Sequence, residues 1–108
     1  MAARVLLQVP ATARRGEVVE FRALIQHPME TGFRPDAQGV VAPRDIIRRF
    51  SCTWNGVLVF ETELHPAIAA NPYFAFTARA EATGEVVFIW SGDNGFAQTE
   101  TRRVTVTG

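Results

Sequence analysis

The segment RRFSCTWNGVLVFETEL, residues 48–64, decides the fold of this chain. In its first half apolar and polar side chains alternate, with one face formed by Phe50, Cys52 and Trp54 and the other by Arg49, Ser51 and Thr53. Alternation with a period of two predicts a β-strand. The Asn55-Gly56 pair that follows suits a two-residue type I′ turn, because both residues tolerate positive φ angles. The segment therefore predicts a β-hairpin.

The same alternation recurs along most of the 108 residues. It appears in residues 5–9, 17–25, 73–80 and 96–107, whereas residues 85–90 are apolar on both faces, as in a central strand of a sheet; short turn-forming stretches separate these segments. About seven strands at this spacing predict an all-β fold, an immunoglobulin-like antiparallel β-sandwich that forms a single domain over residues 1–108. Trp54 suits the core tryptophan of such a sandwich. Cys52 is the only cysteine, so an antibody-type disulfide is excluded and only the architecture is implied.

The charge balance excludes several classes of function. Eleven arginines and eleven acidic residues give a net charge of zero, and no basic stripe forms along the chain. Binding to nucleic acid or to an anionic membrane is therefore not indicated. Residues 1–16 lack the charged, apolar and cleavage regions of a signal peptide, and no apolar run is long enough to span a bilayer.

Candidate catalytic and metal-binding residues are few. His27, His65 and Cys52 are the ligands that a metal could use, but they are 25 and 13 positions apart and lack the close spacing of zinc sites. Cys52 lies in phase with Phe50 and Trp54, which predicts a packed, unreactive thiol. Glu61 and Glu63 share one strand face and are best interpreted as solvated. The sequence therefore predicts no catalytic residue, no metal and no cofactor.

Two segments interrupt the strand pattern, and both begin with His-Pro. They are HPMETG at residues 27–32, in a longer irregular stretch to residue 45, and HPAIAANPY at residues 65–73. One interpretation is structural, since proline and glycine set turns. The other is a recognition surface, because loops on a β scaffold commonly carry binding and Met29, Phe33 and Arg34 are of types enriched in interfaces. Composition alone leaves both interpretations open.

A resemblance adds to this picture. HPMETG, APRDIIRRFSCTWNG (42–56) and LHPAIAANPYFAF (64–76), followed by VFIW and DNG, closely resemble the SoxZ family. The likeness runs from about residue 14 to the end of the chain, and the two His-Pro motifs in this order are specific. The resemblance implies an immunoglobulin-like sandwich that is not an enzyme. It also implies a heterodimer with SoxY, the subunit that carries sulfur intermediates on a cysteine, and transient contact with other Sox enzymes.

The resemblance also implies a location, whereas the residues named below are expected from the placement and composition of the two loops. The expected location is the periplasm, reached by export together with a partner that bears the signal. We expect the partner-binding residues to include His27, Met29, Glu30, Phe33 and Arg34. We expect a structural loop to be formed by His65, Pro66, Asn71, Pro72 and Tyr73. The competing hypothesis is a stand-alone immunoglobulin-like domain that binds a small sulfur species or a metal through His27, His65 or Cys52.

Overall fold

The computed structural model describes residues 3–66 and 68–108. Its strands are β1 (Val5–Gln8), β2 (Thr12–Arg14), β3 (Val18–Ile25), β4 (Ile47–Trp54), β5 (Val57–Glu63), β6 (Tyr73–Arg79), β7 (Gly84–Gly92) and β8 (Ala97–Thr107). A single turn of 3₁₀ helix, Asp93–Gly95, joins β7 to β8. In the described part of the chain no helix is long and apolar enough to cross a membrane.

The strands form two sheets of unequal width. The smaller sheet has the order β1-β3-β6, and the larger sheet has the order β2-β8-β7-β4-β5. All pairings are antiparallel except that of β2 with β8. The prediction of an all-β, immunoglobulin-like sandwich is confirmed. The additional strand, β2, has only three residues, too few for alternation to reveal it in the sequence.

The hairpin predicted from residues 48–64 is present as β4 and β5. Asn55 and Gly56 have φ angles of 51° and 79°, as a type I′ turn requires. One feature was not predicted: Cys52 pairs with Phe60 and Thr53 pairs with Leu58, so Val59 is an extra residue in β5. This β-bulge keeps Val57 and Phe60 on the core side of the strand despite their odd spacing.

The core lies between the sheets and is rich in aromatic side chains. Phe50, Cys52 and Trp54 of β4 are buried, as the alternation predicted. The Phe50 ring stacks on Phe74 of β6 at a centroid distance of 4.7 Å, which joins the two sheets. Burying each side chain of this size contributes roughly 1.5–3 kcal/mol. The packed aromatic layer therefore supplies a rigid scaffold for the loops.

The two irregular segments lie side by side at one end of the sandwich. The first leaves β3 after Ile25, and the second enters β6 at Tyr73. These strand ends are adjacent, because the Ile25 N–H donates a 3.2 Å hydrogen bond to the Pro72 carbonyl. The pairing of β3 with β6 thus brings together two segments that are distant in the sequence.

Candidate functional site

Two hydrogen bonds join the His-Pro loops directly. The His27 N–H donates to Asn71 Oδ1 at 2.9 Å, and the Asn71 N–H donates to the His27 carbonyl at 2.8 Å. Asn71 has a φ of 56°, a left-handed conformation that asparagine tolerates better than most residues. The loops therefore form one connected surface, which the sequence did not reveal.

The side chain of His27 points into the protein, and the residue is only 6% exposed. Its Nδ1 accepts a 3.0 Å hydrogen bond from the Met29 N–H, and its ring packs edge-on against Phe96 at a centroid distance of 5.1 Å. The nitrogen lone pair that would bind a metal at Nδ1 is therefore already used. A direct contact of this side chain with a partner stays a prediction.

Met29 is also buried, with 4% of its surface exposed. Its backbone is left-handed, with a φ of 52°, and its Sδ accepts a 3.3 Å hydrogen bond from the Ile47 N–H. Met29 thus anchors the loop to the start of β4. Its predicted role in partner binding is untested, and its contacts favour a role in shaping the loop.

Residues 30–45, which we call the arm, form a narrow segment that runs out and back like a hairpin. At its base Glu30 and Asp45 exchange two backbone hydrogen bonds of 2.9 and 2.8 Å. Near its tip Pro35 pairs with Val41. No residue between 31 and 44 is buried. The arm is therefore held by its own backbone bonds and by the ion pair of Arg44 with Asp93, without a buried side chain between residues 31 and 44.

The remaining predicted partner-binding residues lie on this arm. Phe33 is 79% exposed, and the Arg34 side chain is 78% exposed. Arg34 Nη2 donates a 2.7 Å hydrogen bond to Glu30 Oε2, whereas Glu30 Oε1 is buried without a hydrogen-bond donor among the described residues. The arm thus presents an exposed ring and an exposed guanidinium, while the Glu30 carboxylate at its base is largely covered.

The arm contains two further apolar residues that sequence reasoning missed. Val40 is 63% exposed and Val41 is 47% exposed. Together with Glu30, Arg34 and Pro35 they line a shallow cavity of about 360 Å³. Val40 and Val41 lie in an irregular stretch without alternation, so periodicity could not indicate them. Two adjacent valines in a polar loop bounded by prolines were the feature that could have drawn attention to them.

The second loop has a mixed exposure. Pro72 is buried, while His65 and Tyr73 are exposed, with Tyr73 at 53%. The Ile68 N–H donates to the His65 carbonyl at 2.9 Å and closes a turn at Pro66, next to Ala67, which lies outside the described residues. Asn71 and Pro72 therefore contact the first loop and the end of β3, which supports their predicted structural role; that role remains a prediction.

A cavity of about 390 Å³ lies beside His65, lined by basic residues and one acid. Its charged lining is Arg44, Arg48, Arg49 and Glu63. Arg44 is bound to Asp93 by hydrogen bonds of 2.8 and 3.0 Å, and Arg49 is paired with Glu61. Most of the positive charge is therefore neutralised within the chain.

The surroundings of the cysteine and the two histidines favour neither thiol reactivity nor metal binding. Cys52 has no exposed surface, and burial raises the pKa of its thiol to about 12. Thiolates are the reactive form, so Cys52 is inert at neutral pH. Among residues 3–66 and 68–108 no three His, Cys, Asp or Glu side chains lie close enough to hold a metal ion together.

The fold and the loops define an immunoglobulin-like β-sandwich protein whose candidate binding surface is formed by two connected loops at one end. More narrowly, the chain belongs to the SoxZ family, described as sulphur oxidation protein SoxZ, whose family model matches residues 7–103. The predicted family is therefore confirmed. Membership assigns the chain to sulfur oxidation by the Sox system.

Solved structures share the fold at low sequence identity. The sulfur carrier protein SoxY from Chlorobium limicola f thiosulfatophilum has a TM-score of 0.67 and 17% identity, covering 96% of this chain and 79% of that chain. A superoxide reductase (neelaredoxin) from Ignicoccus hospitalis has a TM-score of 0.72 and 13% identity, covering 97% and 82%. At these identities the likeness shows the fold alone. The comparison with curated proteins finds no match.

Proposed function

We propose that this chain is a non-enzymatic subunit that pairs with a SoxY-like carrier. In that heterodimer it helps present the cysteine-bound sulfur intermediates of the carrier to other Sox enzymes in the periplasm, after export together with the partner. Family membership is the observation that carries the proposal. The arm supports it, because fourteen consecutive residues, 31–44, are ordered without burying a side chain in their own chain.

The chemistry of the arm supports a protein partner. Ordering a backbone costs roughly 1–2 kcal/mol per residue, and apolar burial normally offsets that cost. Phe33, Val40 and Val41 remain available for burial, and a phenylalanine buried at an interface contributes roughly 1.5–3 kcal/mol. An exposed aromatic residue beside an arginine is typical of interface cores.

A role without catalysis is supported by the state of the reactive side chains. The Cys52 thiol is buried and protonated, and His27 is held by Met29 and Phe96. We therefore propose that the sulfur remains bound to the carrier and that this chain binds the carrier. The same contacts weigh against the competing hypothesis of a stand-alone metal or sulfur-binding domain.

The test replaces Phe33 by Ser and measures affinity for a SoxY protein of the same organism by calorimetry. We expect affinity to fall by about tenfold or more, because a truncated interface aromatic typically costs 2 kcal/mol or more. Since Phe33 is 79% exposed, the melting temperature of the free chain should be unchanged.

The matched control is Ile89→Ser, which removes a partly exposed apolar side chain from the outer face of the larger sheet. It should leave affinity nearly unchanged. Equal effects of the two substitutions would contradict a role for the arm, and no binding by the wild-type chain would contradict the proposed function. Met29→Ser is a poor probe because it also removes a buried contact.

A further inference from the structure

The two sheets differ in width, and one flank of the larger sheet is left uncovered. Three strands face five, and at about 4.8 Å per strand the smaller sheet is roughly 10 Å narrower. At the β2 flank the inward residue Ala13 is 5% exposed, so that flank is closed. At the β5 flank the inward residue Val57, which pairs with buried Trp54, is 69% exposed. The missing cover is therefore on the β5 side.

A groove of about 460 Å³ occupies this flank. It is lined by Trp54, Asn55, Val57, Leu58, Val59, Ala78, Arg79, Glu81 and Ala82. The rings of Phe60 and Phe76 stack at 4.7 Å and close the flank farther along β5. The indole N–H of Trp54 is buried with no acceptor among the described residues. The groove thus combines apolar walls with a polar donor beside it that has no partner.

The neighbouring edge of the smaller sheet is free to pair. The Ile25 N–H bonds to the Pro72 carbonyl, and the Ala80 N–H bonds to the Glu17 carbonyl at 2.8 Å. Because hydrogen-bonded residues alternate in an antiparallel ladder, the even-numbered residues from Pro72 to Ala80 are the ones that form backbone hydrogen bonds with β3. The N–H and carbonyl groups of Ala75 and Thr77 point away from β3, and within the described part of the chain β6 pairs with no second strand.

The two strand edges that border this flank differ in how strongly they discourage pairing with another strand. The β5 edge carries Glu61 and Glu63 and the bulge at Val59, which are features that discourage pairing. The β6 edge is regular, and its first charged residue is Arg79 at the far end. An exposed, regular and uncharged edge is a template for strand addition.

We propose that the β6 edge and the adjoining groove receive an extended, alternately apolar segment of the SoxY-like carrier, which adds a fourth strand to the smaller sheet. This inference rests on the proposed function. Alternate side chains of the added strand would cover Val57 and fill the groove.

The shape of the flank selects an extended segment over a second copy of this chain. In two copies joined β6 to β6, the β5 strand of each would extend over the joint and occupy the same space. The Phe60–Phe76 stack shows that β5 faces β6 across the core, and the exposed Val57 places the end of β5 beyond the cover of the narrower sheet. A segment that extends beyond its own sandwich meets no such obstruction.

The test compares Val57→Glu with the matched control Val18→Glu. Val18 is 58% exposed on the outer face of the smaller sheet, so both substitutions place a charge at an exposed valine. Affinity for the SoxY protein should fall by about tenfold or more for Val57→Glu, because the complex would bury the charge. It should change by less than about twofold for Val18→Glu, where the charge stays solvated.

Hydrogen exchange on the wild-type complex gives a second readout. The amides of Ala75 and Thr77 should become protected when the carrier binds. Normal affinity of Val57→Glu, or unprotected amides in a complex that forms, would overturn this inference and leave the proposed function standing. A homodimer of the free chain that Val57→Glu dissociates would assign the groove to a second copy and also overturn it. Failure of the wild-type chain to bind the carrier would overturn both.

Discussion

At the scale of single residues, Asn71 holds the candidate surface together. It adopts a left-handed conformation and both donates to and accepts from the backbone of His27. An alanine at this position would leave the His27 N–H without its acceptor, in a part-buried place. One of the two hydrogen bonds between the loops therefore depends on this amide side chain, and the other is formed by the backbone.

We predict that Asn71→Ala lowers the free energy of unfolding more than Asn94→Ala. Asn94 has nearly the same φ, 58°, but its side chain makes only a 3.5 Å contact with the Arg44 carbonyl. Both substitutions strain the left-handed backbone, so their difference isolates the hydrogen bond. That difference should be about 1–2 kcal/mol in urea denaturation. Equal losses would show that Asn71 matters only for its conformation.

At the scale of elements, Asp93 fastens the arm to the turn between β7 and β8. Its carboxylate accepts hydrogen bonds from Arg44 Nε at 2.8 Å, from Arg44 Nη2 at 3.0 Å and from the Ile46 N–H at 3.2 Å. Partial burial of the carboxyl acts to raise its pKa, but the bonds from Arg44 and Ile46 outweigh it and lower the pKa below the usual 3.8. The charged form is therefore the one that stabilises the fold.

We predict that Asp93→Asn is less stable than the wild type at pH 7, with the difference shrinking in acid. A carboxyl whose folded pKa is lowered contributes stability above its unfolded pKa and loses it as pH falls through the folded value. Urea midpoints at pH 7 and near pH 3 measure this effect. Glu61→Gln is the control, since its exposed pair with Arg49 contributes little. A pH-independent deficit for Asp93→Asn would contradict the electrostatic explanation.

At the scale of the whole molecule, the chain leaves apolar surface uncovered in several places, and two of them carry the proposals made above. The first of these two is the arm, with Phe33, Val40 and Val41, and the second is the flank at Val57 and Leu58. Exposed apolar patches on a small domain mark interaction surfaces. The isolated chain therefore has the surface expected of one part of a complex.

We predict that the SoxY protein raises the melting temperature of this chain. A ligand that binds only the folded state at one hundred times its dissociation constant adds about 2.7 kcal/mol of stability. For a chain of this size that corresponds to a shift of roughly 10–20 °C. Scanning calorimetry with equal masses of carrier or serum albumin separates binding from crowding. An equal shift with albumin, or none with the carrier, would contradict the pairing.

Much of the candidate site was predictable in position but not in orientation. The motifs at residues 27–32 and 65–73 marked the correct segments as loops. They did not show that His27 and Met29 face inward while Phe33 and Arg34 face outward. In strands the direction of each side chain follows from the period of two, but loops have no fixed period. The direction of a loop side chain therefore depends on contacts such as the hydrogen bond from the Met29 N–H to the His27 ring.

The amino-acid sequence by itself determined the strands other than β2, the β4–β5 hairpin, the buried face of Phe50, Cys52 and Trp54, and the family. Those features depend on alternation and turn chemistry between near neighbours, and on specific motifs. Tertiary structure alone decided that the two His-Pro loops join through Asn71, that the sheets differ in width, and that Val57 and the β6 edge remain uncovered. Such features arise from contacts between residues far apart in the chain, which no local pattern encodes.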